Sequence, residues 1–324
     1  MIITKTPYRV SMFGGGTDHP KWFNEFGGSV VSFSIDKYCF INLRVLPAFF
    51  EHKFRVIYSK VETVNEVEEI LHPAVRHAFR EYGKGNNLEL QHNGDLPARS
   101  GVGSSSAFVV GLIKALYALN GDDISNFNLA SKAIDFEQNI LGETVGSQDQ
   151  IACAIGGVNF IDFSAPNNWN LTQINLSQEY LKDFESRMIL VYSGVDRSSS
   201  EVSKTLLQNL KAKQSILHRT RELALEFKEI LSTESSLDLV DDLMLESWTL
   251  KKKSNPVAIN PKLDNIYEYA INQGALGGKI LGAGGGGFFL FWLKPGHKET
   301  FAQKMAPMVN IPFTISSEGC TQIL

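Results

Sequence analysis

Apolar positions recur in two rhythms along this chain, and the rhythms divide it into blocks. Over the first 46 residues they come in short β-branched and aromatic runs, which predicts strands at 2–5, 9–13, 29–34 and 36–46, with another at 54–58. Gly14-Gly15-Gly16 and Gly27-Gly28 interrupt these runs as sharp turns. Helical spacing then predicts a helix over 66–82 ended by Gly83, a short strand over 88–91, a strongly apolar helix over 104–119, and another over 125–141 that Gly142 stops. Residues 148–154 suit one or two helical turns and 157–163 a strand; Pro166-Asn167-Asn168 breaks the pattern before an apolar strand at 188–192. Helical spacing dominates afterwards, over 201–231, 236–252 and 261–273, with Pro261 suited to a first helical position. A strand at 288–293, a helix at 298–308 and short strands at 313–316 and 321–323 complete the chain. Blocks of strands and blocks of helices favour an α+β fold over a doubly wound sheet. The chain is expected to divide between Phe163 and Ser193, into an N-terminal domain of residues 1–175 and a C-terminal domain of residues 176–324.

Composition narrows the function classes. With 324 residues, 43% of them apolar, the chain can bury a core large enough for two domains. A net charge of −4 argues against a nucleic-acid or membrane-surface binder, and Lys251-Lys252-Lys253, the one basic run, reads as a solvated helix end. Three scattered cysteines suggest neither a disulfide framework nor a metal site, and the seven histidines have no ligand spacing. No apolar stretch reaches membrane-spanning length and no signal peptide is evident, so a cytoplasmic protein is expected.

The chemistry is concentrated where the 104–119 helix begins. A Gly and Ser loop opening a helix leaves backbone N–H groups unpaired, with the positive end of the helix dipole behind them, so it suits phosphate. Pro97, Arg99, Ser100, Gly101, Val102, Gly103, Ser104, Ser105 and Ser106 are therefore expected to cradle a nucleotide's phosphates. Gly101 and Gly103 allow close approach of the backbone, Ser104 suits a helix cap, and Ser105 or Ser106 can offer a hydroxyl to a phosphate-bound cation. The loop lacks the Gly-Lys-Ser/Thr of a Walker A sequence. Gly282 to Gly287 formally contains GxGxxG, but an apolar strand follows it, whereas a dinucleotide fingerprint opens a helix. Four consecutive glycines before a strand exceed the needs of a turn and favour close approach to a ligand.

Pro7-Tyr8-Arg9-Val10-Ser11 with Gly14-Gly15-Gly16-Thr17-Asp18, then Leu96-Pro97 through Ala107, then Lys279 through Gly287, resemble in order and spacing the three motifs of the GHMP kinases. The resemblance implies a ribosomal-protein-S5-like N-terminal domain, a ferredoxin-like C-terminal domain, ATP and Mg²⁺ as cosubstrates, and a site between the domains. Asp149 matches the family's catalytic base and Arg9 its partner; Glu137 matches the acid that holds Mg²⁺, with Ser105 as hydroxyl ligand and Asp135 as a substitute for Glu137. Gly15, Gly16, Thr17 and Asp18, with Gly284 and Gly285, match acceptor-binding positions, while Arg197 and Lys279 are expected to face a distal phosphate. Asp18 could also cap a helix through Trp22, and Arg197 could be a solvated residue at a helix start.

Likeness is greatest to the heptose-phosphate branch, from Val145 to Gln150, Tyr192 to Ser198 and Gly277 to Gly287. It implies phosphorylation of the anomeric hydroxyl of D-glycero-D-manno-heptose 7-phosphate, towards nucleotide-activated heptose for surface polysaccharide. Another sugar 1-kinase, for fucose or galactose, and a non-catalytic sugar sensor are the alternatives. The expected partner is a small sugar phosphate rather than nucleic acid or membrane, and the protein a monomer or homodimer.

Overall fold

In place of four short N-terminal strands, two long ones form: β1 (Ile2–Phe13) and β2 (Gly28–Val45) run antiparallel along almost their whole lengths. The computed structural model describes residues 1–165, 168–195, 208 and 210–324. Pro7 lies inside β1 at a register shift, where a residue without an N–H is tolerated, so the strand passes through it. The two predicted pieces of β2 merge because the strand changes partner midway: Gly28–Phe33 pair with β6 (Val158–Ala165), and Cys39–Val45 with β5 (Leu88–Gly94).

Beyond β5 lie β3 (Phe54–Ile57), parallel to it, and β4 (Val61–Val64), whose short Val-Glu-Thr-Val run has no alternation to signal a strand. β7 (Asn168–Gln173) extends β6 on the other flank, and β12 (Thr321–Gln322) returns from the far end of the chain to pair with β1. The helix expected over 66–82 begins only at Pro73, since proline cannot continue a helix from upstream but suits its first turn; α2 is Pro73–Tyr82, after α1 (Pro20–Phe26).

α3 (Ser104–Leu119) has the predicted bounds and is buried almost all round, as an apolar helix without a polar face must be. It lies directly on the sheet: Thr4 Oγ1 donates to the Gly111 carbonyl at 2.9 Å, and a Cβ on Gly111 would stand 2.8 Å from Thr6 Oγ1. That contact fixes the loop before α3 relative to β1. α4 (Asn126–Asp135) is capped by Ser125 and widens into a π-helical turn, Phe136–Ile140, rather than continuing to residue 141. α5 (Gln148–Ile155) and α6 (Gln178–Ser186) follow.

A second sheet, order β11–β8–β10–β9, joins β8 (Met188–Tyr192), β9 (Gly277–Ile280), β10 (Phe288–Trp292) and β11 (Asn310–Ile311), all antiparallel. Both faces of β10 are covered, which explains its unbroken apolar run. Phe288, Leu290 and Trp292 enter the main core, while Phe289 and Phe291 enter a second core with Trp248, Leu263 and Tyr267. Those residues come from α8 (Val240–Ser254) and α9 (Pro261–Asn272). α7 (Gln214–Ser232) packs Phe227 on Phe13 at 4.9 Å; the rest of the helix predicted from residue 201 lies largely outside the described residues. α10 (Lys298–Lys304) is shorter than predicted, and the strand expected over 313–316 is only an isolated bridge between Ile315 and Ile35. Among the described residues no helix is long and apolar enough to cross a membrane.

Candidate active site

Gly103, left-handed at φ 74°, turns the chain into α3, and no side chain caps the helix start. Ser104, expected as the cap, instead accepts the Arg99 N–H on its Oγ at 3.1 Å and closes the loop on itself. Ser100 Oγ donates to the Pro97 carbonyl at 2.6 Å, and Arg99 itself takes a positive φ of 60°. Val102 and Ser106 are buried, whereas Pro97, Arg99 and Ser105 are exposed, so the loop is anchored from below and open above. An uncapped helix start facing solvent is an anion seat.

Arg9 on β1 lies beneath this loop, 2% exposed. Its backbone N–H donates to the Val102 carbonyl at 3.0 Å and its Nη1 to the Gly101 carbonyl at 2.6 Å. The remaining two donors form a fork on Asp149 in the first turn of α5, Nε to Oδ1 at 2.7 Å and Nη2 to Oδ2 at 2.5 Å. Burial opposes the guanidinium's charge, but the Asp149 carboxylate outweighs it and raises the Arg9 pKa. The aspartate's side chain stays 27% exposed. A Cβ on Gly103 would come within 2.9 Å of Arg9 Cγ, so this glycine makes room for the arginine stem as well as for the turn.

Asp18 does not cap α1, whose N-cap is His19 without a side-chain bond. Buried, it receives the Gly16 N–H on Oδ1 at 2.8 Å and the Gln148 N–H on Oδ2 at 3.3 Å, while its carbonyl receives the Ser147 N–H at 3.0 Å. It thus caps α5 from a distant turn and ties the first glycine motif to the helix that carries Asp149. Thr17 closes the turn by donating from Oγ1 to the Gly14 carbonyl at 2.8 Å. A Cβ on Gly15 would stand 3.2 Å from Ser11 Oγ and 3.4 Å from Gln148 Nε2. Ser11 Oγ and Gln148 Oε1 are buried without hydrogen-bond partners. Sequence reasoning assigned neither residue a role, though Ser11 lies two positions from Arg9 on a strand and so shares its face.

Glu137, in the π-helical turn, is completely buried. Ser106 Oγ donates to it at 2.8 Å and Ser105 Oγ at 3.4 Å, and the Gln150 amide makes a further short bond. Burial pushes its carboxyl up to about 8 despite the Ser106 and Gln150 donors. The structure therefore brings both candidate serines to Glu137; Asp135 bonds Asn139 at 2.7 Å instead.

The third glycine motif packs chiefly against protein. A Cβ on Gly101 would be 2.6 Å from the Leu281 carbonyl and one on Gly282 2.9 Å from Gly101 Cα, while the Phe288 N–H donates to the Ser100 carbonyl at 2.9 Å. A Cβ on Gly284 would reach the Ala258 side chain at 2.5 Å, and the Gly285 N–H is already committed to the Ala258 carbonyl at 2.5 Å. Close approach is indeed what these glycines allow, but the neighbour is another loop of the same chain.

Lys279 on β9 is buried and donates to the Met12 carbonyl at 2.8 Å. Burial, with Arg9's positive charge nearby, lowers it from 10.5 to about 7. Arg197 lies outside the described residues. For Lys279 the folded pKa is below the unfolded one, so between about 7 and 10.5 the unfolded chain binds more protons. The cost of burying the charge is carried in full below that window and relieved as pH rises through it. Relative to Lys279→Met, the wild-type protein is expected to gain stability from pH 7 to 10 by up to ~1.4 kcal/mol per pH unit. Denaturation midpoints across that range check this, and a constant gap between the two proteins would refute it.

Two family models match the chain: the one described as GHMP kinases N terminal domain over residues 67–157, and GHMP kinases C terminal over residues 224–309. The chain is 26% identical over 313 residues to a D-glycero-alpha-D-manno-heptose 7-phosphate kinase of Campylobacter jejuni subsp. jejuni serotype O:2, covering 92% of this chain and 91% of that protein. It is 24% identical over 348 residues to a galactokinase of Thermococcus kodakarensis, covering 97% and 95%. Among solved structures, a D-glycero-D-manno-heptose 1-phosphate kinase from Bacteroides thetaiotaomicron superposes with a TM-score of 0.82 at 20% identity, covering 100% of this chain and 99% of that one.

Proposed function

The chain belongs to the GHMP kinases, and from that premise we propose that it is an ATP-dependent sugar kinase whose acceptor is the anomeric hydroxyl of D-glycero-D-manno-heptose 7-phosphate. The observation that carries the reading is the Arg9 fork on Asp149 directly beneath the open start of α3. It sets a carboxylate beside the seat where triphosphate oxygens would rest. Similarity to two proteins named for heptose phosphates supports the acceptor class, although their names place its phosphate at different carbons.

In the proposed reaction the anomeric oxygen attacks the γ-phosphorus of ATP, its proton passes to an Asp149 oxygen, and the bond from the γ-phosphorus to the β–γ bridging oxygen breaks to release ADP. Phosphoryl transfer asks the protein for alignment and charge neutralisation more than covalent chemistry. Arg9 orients the base, and the α3 amides hold the phosphates. The acceptor would lie over Gly15, Gly16, Thr17 and Asp18, where the unpaired Ser11 Oγ and Gln148 Oε1 support a role in binding hydroxyls.

The donor set fits Mg²⁺. Glu137 receives the Ser105 and Ser106 hydroxyls and the Gln150 amide N–H, and the Gln150 Oε1 is buried and unpaired; a cation here would displace the proton that burial favours on Glu137. Among the described residues no cluster of three or more His, Cys, Asp or Glu offers a richer site. Magnesium takes oxygen ligands and retains waters, so Glu137 and Ser105 would hold it together with the ATP phosphates. When bound it neutralises charge on the phosphates. Residues 1–175 are proposed as the domain carrying nucleotide seat and base, and 176–324 as its C-terminal counterpart.

A phosphoryl-transfer screen over heptose 7-phosphate, mannose 6-phosphate, galactose and fucose tests the acceptor. Heptose 7-phosphate is expected to exceed the free hexoses in kcat/KM by roughly 10²-fold or more, because the hexoses lack the distal phosphate that Arg197 and Lys279 are proposed to face. Equal turnover of galactose or fucose would favour a hexose 1-kinase. Nucleotide binding with no turnover of any acceptor would favour a sensor.

A further inference from the structure

We propose that Lys251 is a positioning residue for phosphoryl transfer, holding the third glycine loop so that this loop in turn fixes the Gly101 carbonyl against Arg9. The inference rests on the kinase reading above. Lys251 lies in the last turn of α8, where a cation ordinarily faces solvent and complements its own helix's dipole. Here its Nζ reaches away from the helix and donates to the Ile280 and Gly282 carbonyls, each at 2.7 Å. These two carbonyls flank the point where β9 ends and the glycine loop begins.

From there the contacts continue inward. Gly282 and Leu281 press on Gly101 so closely that neither glycine could bear a side chain: Cβ atoms would meet Gly101 Cα at 2.9 Å and the Leu281 carbonyl at 2.6 Å. The far end of the loop is fastened to the same segment, with the Phe288 N–H on the Ser100 carbonyl at 2.9 Å. Gly101 thus has protein backbone behind it and Arg9 Nη1 on its carbonyl at 2.6 Å, and the other donors of Arg9 hold Asp149. A lysine replaced by an apolar residue would leave the Ile280 and Gly282 carbonyls without that ammonium. The loop could then rotate away, freeing Gly101 and one of the three restraints on the arginine's orientation. Lys252, the next residue, makes an unrelated pair with Asp264 at 2.7 and 2.9 Å and supplies a control from the same helix turn.

The full-length Lys251→Met, Lys251→Arg and Lys252→Met proteins would be compared with wild type, using whichever acceptor wild type turns over best. Lys251→Met is expected to lower kcat by about tenfold to 10²-fold, the usual consequence of a small displacement of aligned groups. Acceptor KM should stay within about threefold, since the residue's effect is on alignment rather than binding. Lys251→Arg should recover part of the loss, and Lys252→Met should match wild type. Independently of turnover, amide hydrogen exchange across residues 98–106 should quicken in Lys251→Met and not in Lys252→Met. Wild-type kcat and exchange in Lys251→Met would overturn the proposal, as would a lowered melting temperature with unchanged kcat. Should Lys251→Met fail to fold, Lys251→Gln, which keeps one donor, takes its place under the same expectations. If wild type transfers no phosphate to any acceptor, the kinase reading fails by itself, and the exchange result still decides whether Lys251 braces the loop.

Discussion

Asp149→Asn is expected to lower kcat by roughly 10²- to 10⁴-fold, the range lost when a positioned proton acceptor is removed from a transfer step. The substitution keeps the shape of the side chain, and one amide oxygen can still accept from the Arg9 fork, so the start of α5 should persist. Nucleotide affinity should hardly change, because the proposed seat at α3 is built from backbone amides and Asp149 faces its acceptor side. An anomeric hydroxyl is more acidic than an ordinary alcohol, which suits transfer of its proton to a carboxylate late in the reaction. The decisive measurements are single-turnover rate and the affinity of a fluorescent ATP analogue on the same preparation. A variant that transfers phosphate as fast as wild type would remove the base assignment, and one that no longer binds nucleotide would show that the residue's role is architectural.

What the sequence made legible, and what it hid, follows from where the information lies. The bounds of α3 could be read directly, since a Gly-Ser punctuation followed by a long apolar run leaves little alternative to a buried helix. β9 could not: Gly277 and Gly278 argue against a strand, and only the fold explains them. A Cβ on Gly277 would press on Met244 at 2.6 Å and one on Gly278 on the Phe291 ring at 2.5 Å, so close packing of α8 and β10 overrides propensity.

The same limit applies to the site. Motif order pointed to Arg9, Asp149 and Glu137, whereas the Gly101 carbonyl on Arg9, Gln150 on Glu137 and Lys251 on Gly282 are tertiary contacts with no local signature. Lys251 was the more concealed because a lysine run at a helix end has an ordinary explanation in the dipole, which Lys252 and its partner Asp264 do not contradict. Asp18 shows the reverse case: expected to bind the acceptor, with a cap of the next helix as the alternative, it caps α5, more than a hundred residues away in sequence.

Arg9→Met should be nearly as damaging to turnover as loss of the base, by roughly 10²- to 10³-fold in kcat, because it removes both an oriented charge and the alignment of Asp149. Methionine preserves much of the arginine stem that packs under Gly103, so little cavity results. It provides none of the donors to Asp149 or the Gly101 carbonyl. Arg9→Lys should restore little, since one ammonium lacks the planar fork that reaches both carboxylate oxygens and the carbonyl together.

Stability should show an asymmetry that follows from burial. The Arg9 side chain is 3% exposed and that of Asp149 27%, so Asp149→Leu strands a sealed cation while Arg9→Met leaves a carboxylate with access to water. The first should cost about 3–5 kcal/mol, as for a buried pair broken from one side, and the second less. Because the two residues act as one unit, Arg9→Met combined with Asp149→Asn should be scarcely slower than the worse single variant. Chemical denaturation and kcat for the complete set test both points. Strictly multiplicative losses in kcat, or Arg9→Met the less stable of the two apolar variants, would mean that the fork does not couple the arginine to the base.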